Sequence, residues 1–427
     1  MTAFKLYAVC GNPVLHSKSP DIYNMLFDKN SINSRYIRVR PENASEALSI
    51  YDSLGFSGMN VTAPFKEDMF NLLLEKDADV IQTGAVNTIL GSIKSAFNTD
   101  IYGVESTLRM KSAVKGMKAV VLGAGGAAKS AVCALKNIGA DITVINRTEE
   151  KAHLIAEKYS VKHAPFSELK NEIESCSILL STLPASASVS AGEFIHSGMI
   201  VLDAIYKDSS LESIAANRGA KFAKGIDWLI NQGIKSFEIY TGKKASYEET
   251  ASSFNPENVL RKKDRIALIG FMGSGKSTVG KILAEKTGRD FYDIDMLIEK
   301  KAGMTINEIF STSGVDYFRS LESEVLAEVL NFKNSVISCG GGIVLRTENV
   351  SLLKESAVTV WLYASIDSSV KRVDSSRPLL NVADPALRAR ELFSERIKLY
   401  ASACDLLVSN ENKTAEKCAE IIYEEIR

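Results

Sequence analysis

Short apolar runs and helix-forming stretches alternate along almost the whole chain. Leu6–Cys10 is a compact apolar run, a turn follows it, a helix is predicted near Pro20–Lys29, and residues around Tyr36–Arg40 return to a strand pattern. KAVVL at 118–122 reads as a buried strand that runs into GAGGAAKSAVCAL, a glycine turn opening a helix, and ITVINR at 142–147 is the strand that follows. Further strands are predicted at Ile178–Ser181 and Met199–Asp203. This alternation predicts α/β architecture with largely parallel sheets, because parallel neighbours need a crossover and a helix usually supplies it. The polar stretch Glu248–Asp264, EETASSFNPENVLRKKD, contains Asn-Pro and ends in a charge cluster. It reads as a linker with some helical content. RIALIGF, from Arg265, then opens a second α/β unit, and its glycine loop differs in pattern from the first, so there is no sign of duplication.

Composition narrows the function classes. At 427 residues the chain exceeds a single core, so two or three domains are expected. A formal net charge of −1 gives no electrostatic reason for a nucleic-acid or anionic-membrane partner. Cys10, Cys133, Cys176, Cys339, Cys404 and Cys418 are scattered without a C-x-x-C pair, which suits buried thiols in a reducing cytoplasm. The histidines are not spaced for zinc. The N-terminal apolar run lacks the basic flank of a signal peptide, and no apolar run reaches the roughly 18 residues of a membrane span.

Gly270-Phe-Met-Gly-Ser-Gly275-Lys276-Ser277 fits G-x-x-x-x-G-K-S/T between an apolar strand and a helix beginning near Thr278. Backbone N–H groups of Gly273, Ser274, Gly275 and Thr278 can face phosphate oxygens there, Lys276 can neutralise phosphate charge, and the Ser277 hydroxyl can hold Mg²⁺. FYDIDMLIE places Asp293 and Asp295 two apart on a predicted strand, hence on one face. FRSLE supplies Arg319 and Glu322 on a helix, ISCGGGIV puts Gly340, Gly341 and Gly342 at a strand end, SRPLL presents Arg377, and RIKLY presents Arg396. Taken singly, each is equally readable as a solvated charge, an ordinary i,i+3 pair or a turn.

In this order the strings resemble shikimate kinase, from Arg265 to the C-terminus. The resemblance implies ATP and Mg²⁺ at Lys276 and Ser277, with Asp293 beside the metal and Asp295 orienting the acceptor hydroxyl and taking its proton. It implies Arg319 and Arg396 on the shikimate carboxylate, the glycines Gly340 to Gly342 along the ring, and Arg377 on a lid over the phosphates. The implied fold is that of a nucleoside-monophosphate kinase, an α/β domain with a central parallel sheet.

GAGGAA, Gly123 to Ala128, fits the dinucleotide loop, and its strand–turn–helix setting strengthens a motif that is weak alone. Gly123, Gly125, Gly126 and Ala127 would line the pyrophosphate. The next strand ends in Asn146-Arg147-Thr148 with Lys151 beyond, where Arg147 suits a ribose 2′-phosphate and favours NADP(H) over NAD(H). With GNPVLHSKSP, NVTAPFK, GAVNTI and NTD, the first part of the chain, from about residue 5 to residue 245, resembles shikimate dehydrogenase. That implies Ser17 and Ser19 on the substrate carboxylate, and Thr62, Asn87 and Asp100 on the ring hydroxyls. Lys66 and Asp100 would be the catalytic dyad, Tyr206 and Gln232 substrate contacts, and Gly225 a neighbour of the nicotinamide. Lys207-Asp208 stand where the family usually has Asn-Pro, and Trp228 where it usually has methionine.

The expected organisation is a substrate-binding domain (1–101, with 226–250 returning to it), a Rossmann domain binding NADP (102–225), a linker (251–264) and a kinase domain (265–427). The resemblances together imply two consecutive reactions: reduction of 3-dehydroshikimate, then phosphorylation of shikimate, with small-molecule substrates and neither nucleic acid nor membrane as partners. Rival readings are a shikimate- or quinate-binding sensor with one inactive half, a quinate-preferring dehydrogenase, and a different small-molecule kinase.

Overall fold

The computed structural model describes residues 3–183, 191–205, 209–254, 260, 263–372 and 384–427. Tyr206 and Arg377 lie outside the described residues, as do Lys207 and Asp208. The chain forms two compact units: Met1–Pro20, Ser31–Ala63 and Glu257–Arg427 make one, and Asp21–Asn30 with Pro64–Pro256 make the other. These units do not follow the linear order of the chain, since the first strands share a unit with the C-terminal segment.

In the first unit a parallel sheet runs in the order Asp290–Asp293, Ser335–Ser338, Arg265–Ile269, Ala357–Tyr363, Leu406–Ser409, Ser34–Val39, Lys5–Cys10, Gly58–Val61. The strand AVTVWLY at 357–363 is buried at every position, which is why it reads as a continuous apolar run and not as an alternation. Leu407 pairs with Val39, and the Arg40 N–H donates to the Leu407 carbonyl at 2.9 Å. One hydrogen-bonded sheet therefore takes strands from both ends of the chain.

Two local expectations are corrected in this unit. The helix after the phosphate loop begins at Lys276 and runs to Thr287, two residues before Thr278, because Gly275 at φ 89° completes the turn that frees Lys276 to be helical. Asp293 and Asp295 are not on one strand: the strand stops at Asp293 and a helix, Ile294–Ala302, takes Asp295 into its first turn. The Asp293 carboxylate accepts the Met296 N–H at 3.3 Å, and this N-cap starts the helix where side-chain alternation would have continued the strand.

In the second unit a parallel sheet has the order Lys221–Ala223, Ile200–Asp203, Ile178–Ser181, Lys118–Leu122, Asp141–Ile145, Lys162–His163. Its first strand in sequence is central, with the next two on one side and the last three on the other, which is the Rossmann order. The order reverses beside Lys118–Leu122, so a crevice opens where the glycine turn follows that strand. The strand expected to reach residue 147 ends at Ile145, where Asn146 turns the chain by donating its side-chain amide to the Thr148 carbonyl at 2.9 Å.

The same unit holds an antiparallel pair, Thr88–Leu90 with Ser95–Phe97, and two helices, Asp100–Met110 and Gly225–Thr241, packed on each other. The expected linker starts as a helix, Tyr247–Ser253, with Thr250 buried. Among the described residues no helix is long and apolar enough to cross a membrane, and all six cysteines are free thiols.

The two packed helices approach closely at Gly103. A Cβ there would lie 2.6 Å from Trp228 Cδ1 and 3.0 Å from the Trp228 carbonyl oxygen. Gly103→Ala is expected to destabilise this unit by about 2 kcal/mol through overpacking. Urea denaturation followed by Trp228 fluorescence in a Trp361→Phe background checks this, and an unchanged midpoint contradicts it.

Candidate active sites

In the first unit the phosphate loop leaves the strand Arg265–Ile269 through Gly270 at φ 148°, where a Cβ would come 2.4 Å from the Leu362 carbonyl. Gly273 and Gly275 also have positive φ, 75° and 89°. These angles turn the loop around the N-terminus of the following helix, whose first N–H groups have no partner within the helix itself. The Lys276 ammonium donates to the Gly270 and Phe271 carbonyls at 3.0 and 2.9 Å, so the loop carries its cation folded over it. Ser277 Oγ donates to Asp293 Oδ2 at 2.6 Å and lies 3.3 Å from Ser338 Oγ. A hydroxyl and a carboxylate side by side beside a phosphate loop are oxygen donors of the kind Mg²⁺ takes. Asn410 braces the loop through a 2.7 Å bond to the Ser274 carbonyl, a role its sequence context did not show.

Next to the loop is a cavity lined by Asp295, Arg319, Glu322, Gly340, Gly341, Gly342 and Arg396, with Met272, Ile306, Phe310 and Phe318 as its apolar wall. The corrected position of Asp295 matters here. Asp293 reaches toward Ser277, whereas Asp295, one residue into the helix, lines the cavity.

Arg319 Nη1 pairs with Glu322 Oε2 at 2.6 Å, and Glu322 is fully buried. Burial pushes the Glu322 carboxyl above its usual range against the pull of Arg319. Arg396 donates to the Gly341 carbonyl at 3.2 Å, and Tyr400, its phenol pushed up to about 12 by burial, donates to the same oxygen at 2.5 Å. Arg319 Nε and Arg396 Nε are buried with no hydrogen-bond partner among the described residues. Two guanidiniums with N–H groups to spare, against an apolar wall, are what a small ring carrying a carboxylate requires.

Two of the three glycines, Gly340 and Gly342, are needed because charged groups lie over them. A Cβ on Gly342 would fall 2.2 Å from Arg319 Nη2, and one on Gly340 would fall 2.8 Å from Asp295 Oδ1. Tyr400 was passed over by the sequence reading, and Glu322, named there beside Arg319, was given no role. Both were signalled, one by its three-residue spacing from Arg319 and the other by its four-residue spacing from Arg396.

The loop Gly11–Ser19 also belongs to this unit. It follows the strand Lys5–Cys10, and a Cβ on Gly11 would meet Thr62 Cγ2 at 2.4 Å, so loop and Thr62 are neighbours. Ser17 and Ser19 are buried with their hydroxyl oxygens 3.4 Å apart, and Arg38 holds the Ser17 carbonyl from Nε and Nη2 at 2.9 and 2.7 Å.

In the second unit Lys66 opens the helix Lys66–Leu72 and Asp100 opens the helix Asp100–Met110, and Lys66 Nζ lies 2.5 Å from Asp100 Oδ2. Asn98 aligns this pair. Its Oδ1 accepts the Asp100 N–H at 3.1 Å, while its amide donates to Thr83 Oγ1, Ala85 O and Ser130 Oγ. Asn87 Oδ1 accepts the Thr99 N–H at 2.8 Å, and Thr99 Oγ1 lies 2.9 Å from Ser236 Oγ and 3.4 Å from Gln232 Oε1. Lys66, Asp100, Asn87 and Gln232 are thus brought together, with Asn98, Thr99 and Ser236 as supports that the sequence reading passed over. The NTD string had put two of these next to Asp100.

The glycine turn reaches the same place. Gly123 sits at φ 112° with Thr182 Oγ1 2.2 Å from where a Cβ would be, whereas nothing lies within 4 Å of such a Cβ at Gly125. A Cβ on Gly126 would lie 3.9 Å from the Lys66 side chain. Ala127 is half-buried in the first turn of the helix Gly126–Ile138. A Cβ on Gly225 would fall 2.6 Å from the Asp203 carbonyl oxygen, so the site admits only glycine without displacement. Arg147, Thr148 and Lys151 are exposed at the end of the neighbouring strand. An open glycine turn, a free helix N-terminus and exposed cations fit a dinucleotide with an extra phosphate.

Comparison with known proteins finds a family for each part of the chain. The shikimate kinase family profile matches residues 272–427, that of the shikimate dehydrogenase substrate binding domain matches 9–89, and that of shikimate / quinate 5-dehydrogenase matches 105–200. A shikimate kinase of Thermodesulfovibrio yellowstonii is 45% identical over 38% of this chain and 93% of its own length. A shikimate dehydrogenase (NADP(+)) of Methanosarcina acetivorans is 34% identical over 57% of this chain and 95% of its own. The crystal structure of shikimate dehydrogenase from Aquifex aeolicus superposes with a TM-score of 0.56 at 32% identity, covering 59% of this chain and 98% of that one.

Removing Glu322 leaves the Arg319 guanidinium buried without its counter-charge. Glu322→Ala is expected to lower the stability of the first unit by about 3 kcal/mol. Chemical denaturation monitored at Trp361 reads this, and wild-type stability would count against a buried charged pair.

Proposed function

This chain belongs to the shikimate dehydrogenase family in its N-terminal part and to the shikimate kinase family in its C-terminal part, and from this we propose how its residues divide two reactions. It is a bifunctional enzyme that reduces 3-dehydroshikimate to shikimate and phosphorylates shikimate to shikimate 3-phosphate. When bound, NADPH supplies the hydride for the first reaction and MgATP the phosphoryl group for the second.

In the first reaction the ketone oxygen gains a proton as its carbon gains the hydride, so a proton donor must stand at that oxygen. The Lys66 ammonium is that donor. Asp100 keeps it aimed, and the Asn98 bond to the Asp100 backbone fixes where the carboxylate sits. The observation that carries the assignment is the 2.5 Å Lys66–Asp100 pair beside the helix start of the glycine turn. Asn87, Thr62, Tyr206 and Gln232 hold ring hydroxyls in this reading, and Ser17 and Ser19 the carboxylate. Gly123, Gly125, Gly126 and Ala127 hold the pyrophosphate, Asn146, Arg147, Thr148 and Lys151 the 2′-phosphate end, and Gly225 the nicotinamide end.

In the second reaction Asp295 takes the proton of the attacking hydroxyl, and Arg319 and Arg396 fix the carboxylate at the other side of the ring. Gly340, Gly341 and Gly342 leave room for that ring. Gly273, Ser274, Gly275, Lys276 and Thr278 hold the nucleotide phosphates, Ser277 and Asp293 hold Mg²⁺, and Arg377 covers the transferred group. The scattered free thiols favour a cytoplasmic location.

Incubating the protein with 3-dehydroshikimate, NADPH and MgATP is expected to yield shikimate 3-phosphate. Lys66→Ala should lower the NADP⁺-linked oxidation of shikimate by about 100-fold or more with kinase activity intact. Lys276→Ala should do the reverse. A Lys66→Ala enzyme with wild-type dehydrogenase rate, or quinate preferred over shikimate in the same assay, would overturn the first assignment.

A further inference from the structure

Glu425 lies near the end of the helix Ala415–Ile426 and takes no part in the sites above, yet it is only 5% exposed. Its carboxylate is used at the other end of the chain. Oε2 accepts the Leu15 N–H at 2.7 Å, and the Val14 N–H reaches both carboxylate oxygens at 3.0 Å. Oε1 lies 2.9 Å from Arg40 Nε, and Glu424 takes Arg40 Nη2 at 2.9 Å. Val14, Leu15 and Arg40 are all buried. Val14 and Leu15 lie in a loop where no strand neighbour accepts their N–H groups, so without this carboxylate two buried donors would be stranded.

The loop so held is Gly11–Ser19, which presents Ser17 and Ser19. It has a second anchor of the same origin: Arg38, which grips the Ser17 carbonyl, also donates from Nη1 to the Asp405 carbonyl at 3.3 Å. Both anchors therefore trace to residues of the kinase segment.

We propose that Glu425 is a positioning residue for the dehydrogenase reaction, setting the loop whose serine hydroxyls receive the substrate carboxylate. The proposal rests on the assignment of Ser17 and Ser19 to that carboxylate. Hydroxyl hydrogen bonds tolerate little misplacement, so a loosened loop weakens the grip on the carboxylate. That grip is the same in the ground state and the transition state, since the carboxylate does not react, and its loss therefore raises KM and spares kcat.

The test uses the full-length protein and NADP⁺-linked oxidation of shikimate. Glu425→Ala is expected to raise the dehydrogenase KM for shikimate about tenfold, the size of a lost charged hydrogen bond. Dehydrogenase kcat, the KM for NADP⁺ and both kinase KM values should stay within twofold. Ser17→Ala, measured alongside, should raise the same KM, and the double variant should be no worse than the poorer single one. A wild-type KM in Glu425→Ala with a raised one in Ser17→Ala overturns the role of Glu425. A wild-type KM in Ser17→Ala overturns the serine assignment beneath it. Fully additive effects also overturn the proposal, because they would mean Glu425 acts elsewhere than through the loop. If Glu425→Ala loses kinase activity as well, marking a failure to fold, Glu425→Gln decides by the same KM readout.

Discussion

A parallel strand cannot turn straight back. At its carboxyl end the chain must pass through a loop into a crossover helix, and the first N–H groups of that helix have no partner of their own. Both active sites are built on this constraint. Gly123–Gly126 and Gly270–Ser277 each follow a buried strand and turn the chain into a helix start, with open space at Gly125. Lys66 and Asp100 also stand at the first position of a helix, without a glycine loop, and the strand before Asp100 is antiparallel. Chemistry collects at these ends because the sheets leave donors there for a ligand to complete.

Electrostatics then separates the two sites. In the dehydrogenase part Lys66 and Asp100 meet directly, so the cation proposed as proton donor has its counter-charge in place. In the kinase cavity Glu322 offsets only one of two guanidiniums, and the partnerless Nε atoms of Arg319 and Arg396 leave the cavity suited to a bound anion. Under the proposed assignment one metabolite carboxylate would be met by neutral hydroxyls in one place and by cations in another. The difference suits a kinase, whose substrate must remain fixed while more negative charge gathers near it.

Much of this was legible in the chain. The strands around both glycine turns, the two α/β units and the paired strings around Lys66 and Lys276 follow from apolar runs and local motifs. Asp295 was misplaced on a strand because alternation in FYDIDMLIE looks the same up to Asp293, and only the cap made by that side chain shows where the helix takes over. Asn98 and Asn410 were missed for a different reason. Asn410 works through Ser274, and Asn98, beside its local bond to the Asp100 N–H, is held by the distant Ser130; no spacing rule reports such remote partners. The sharing of one sheet by the two ends of the chain was likewise invisible, since each strand's own pattern is satisfied with or without that neighbour.

That shared sheet gives the gene fusion a mechanical meaning. Ser34–Val39 and Leu406–Ser409 would each be an outermost strand if the two halves were made as separate proteins, with rows of unsatisfied backbone groups facing water. Here the two strands meet through the Val39–Leu407 pair and the Arg40 N–H, and a buried arginine and glutamate lie beside that seam. Cutting the chain into its two activities would strip this contact from both borders at once.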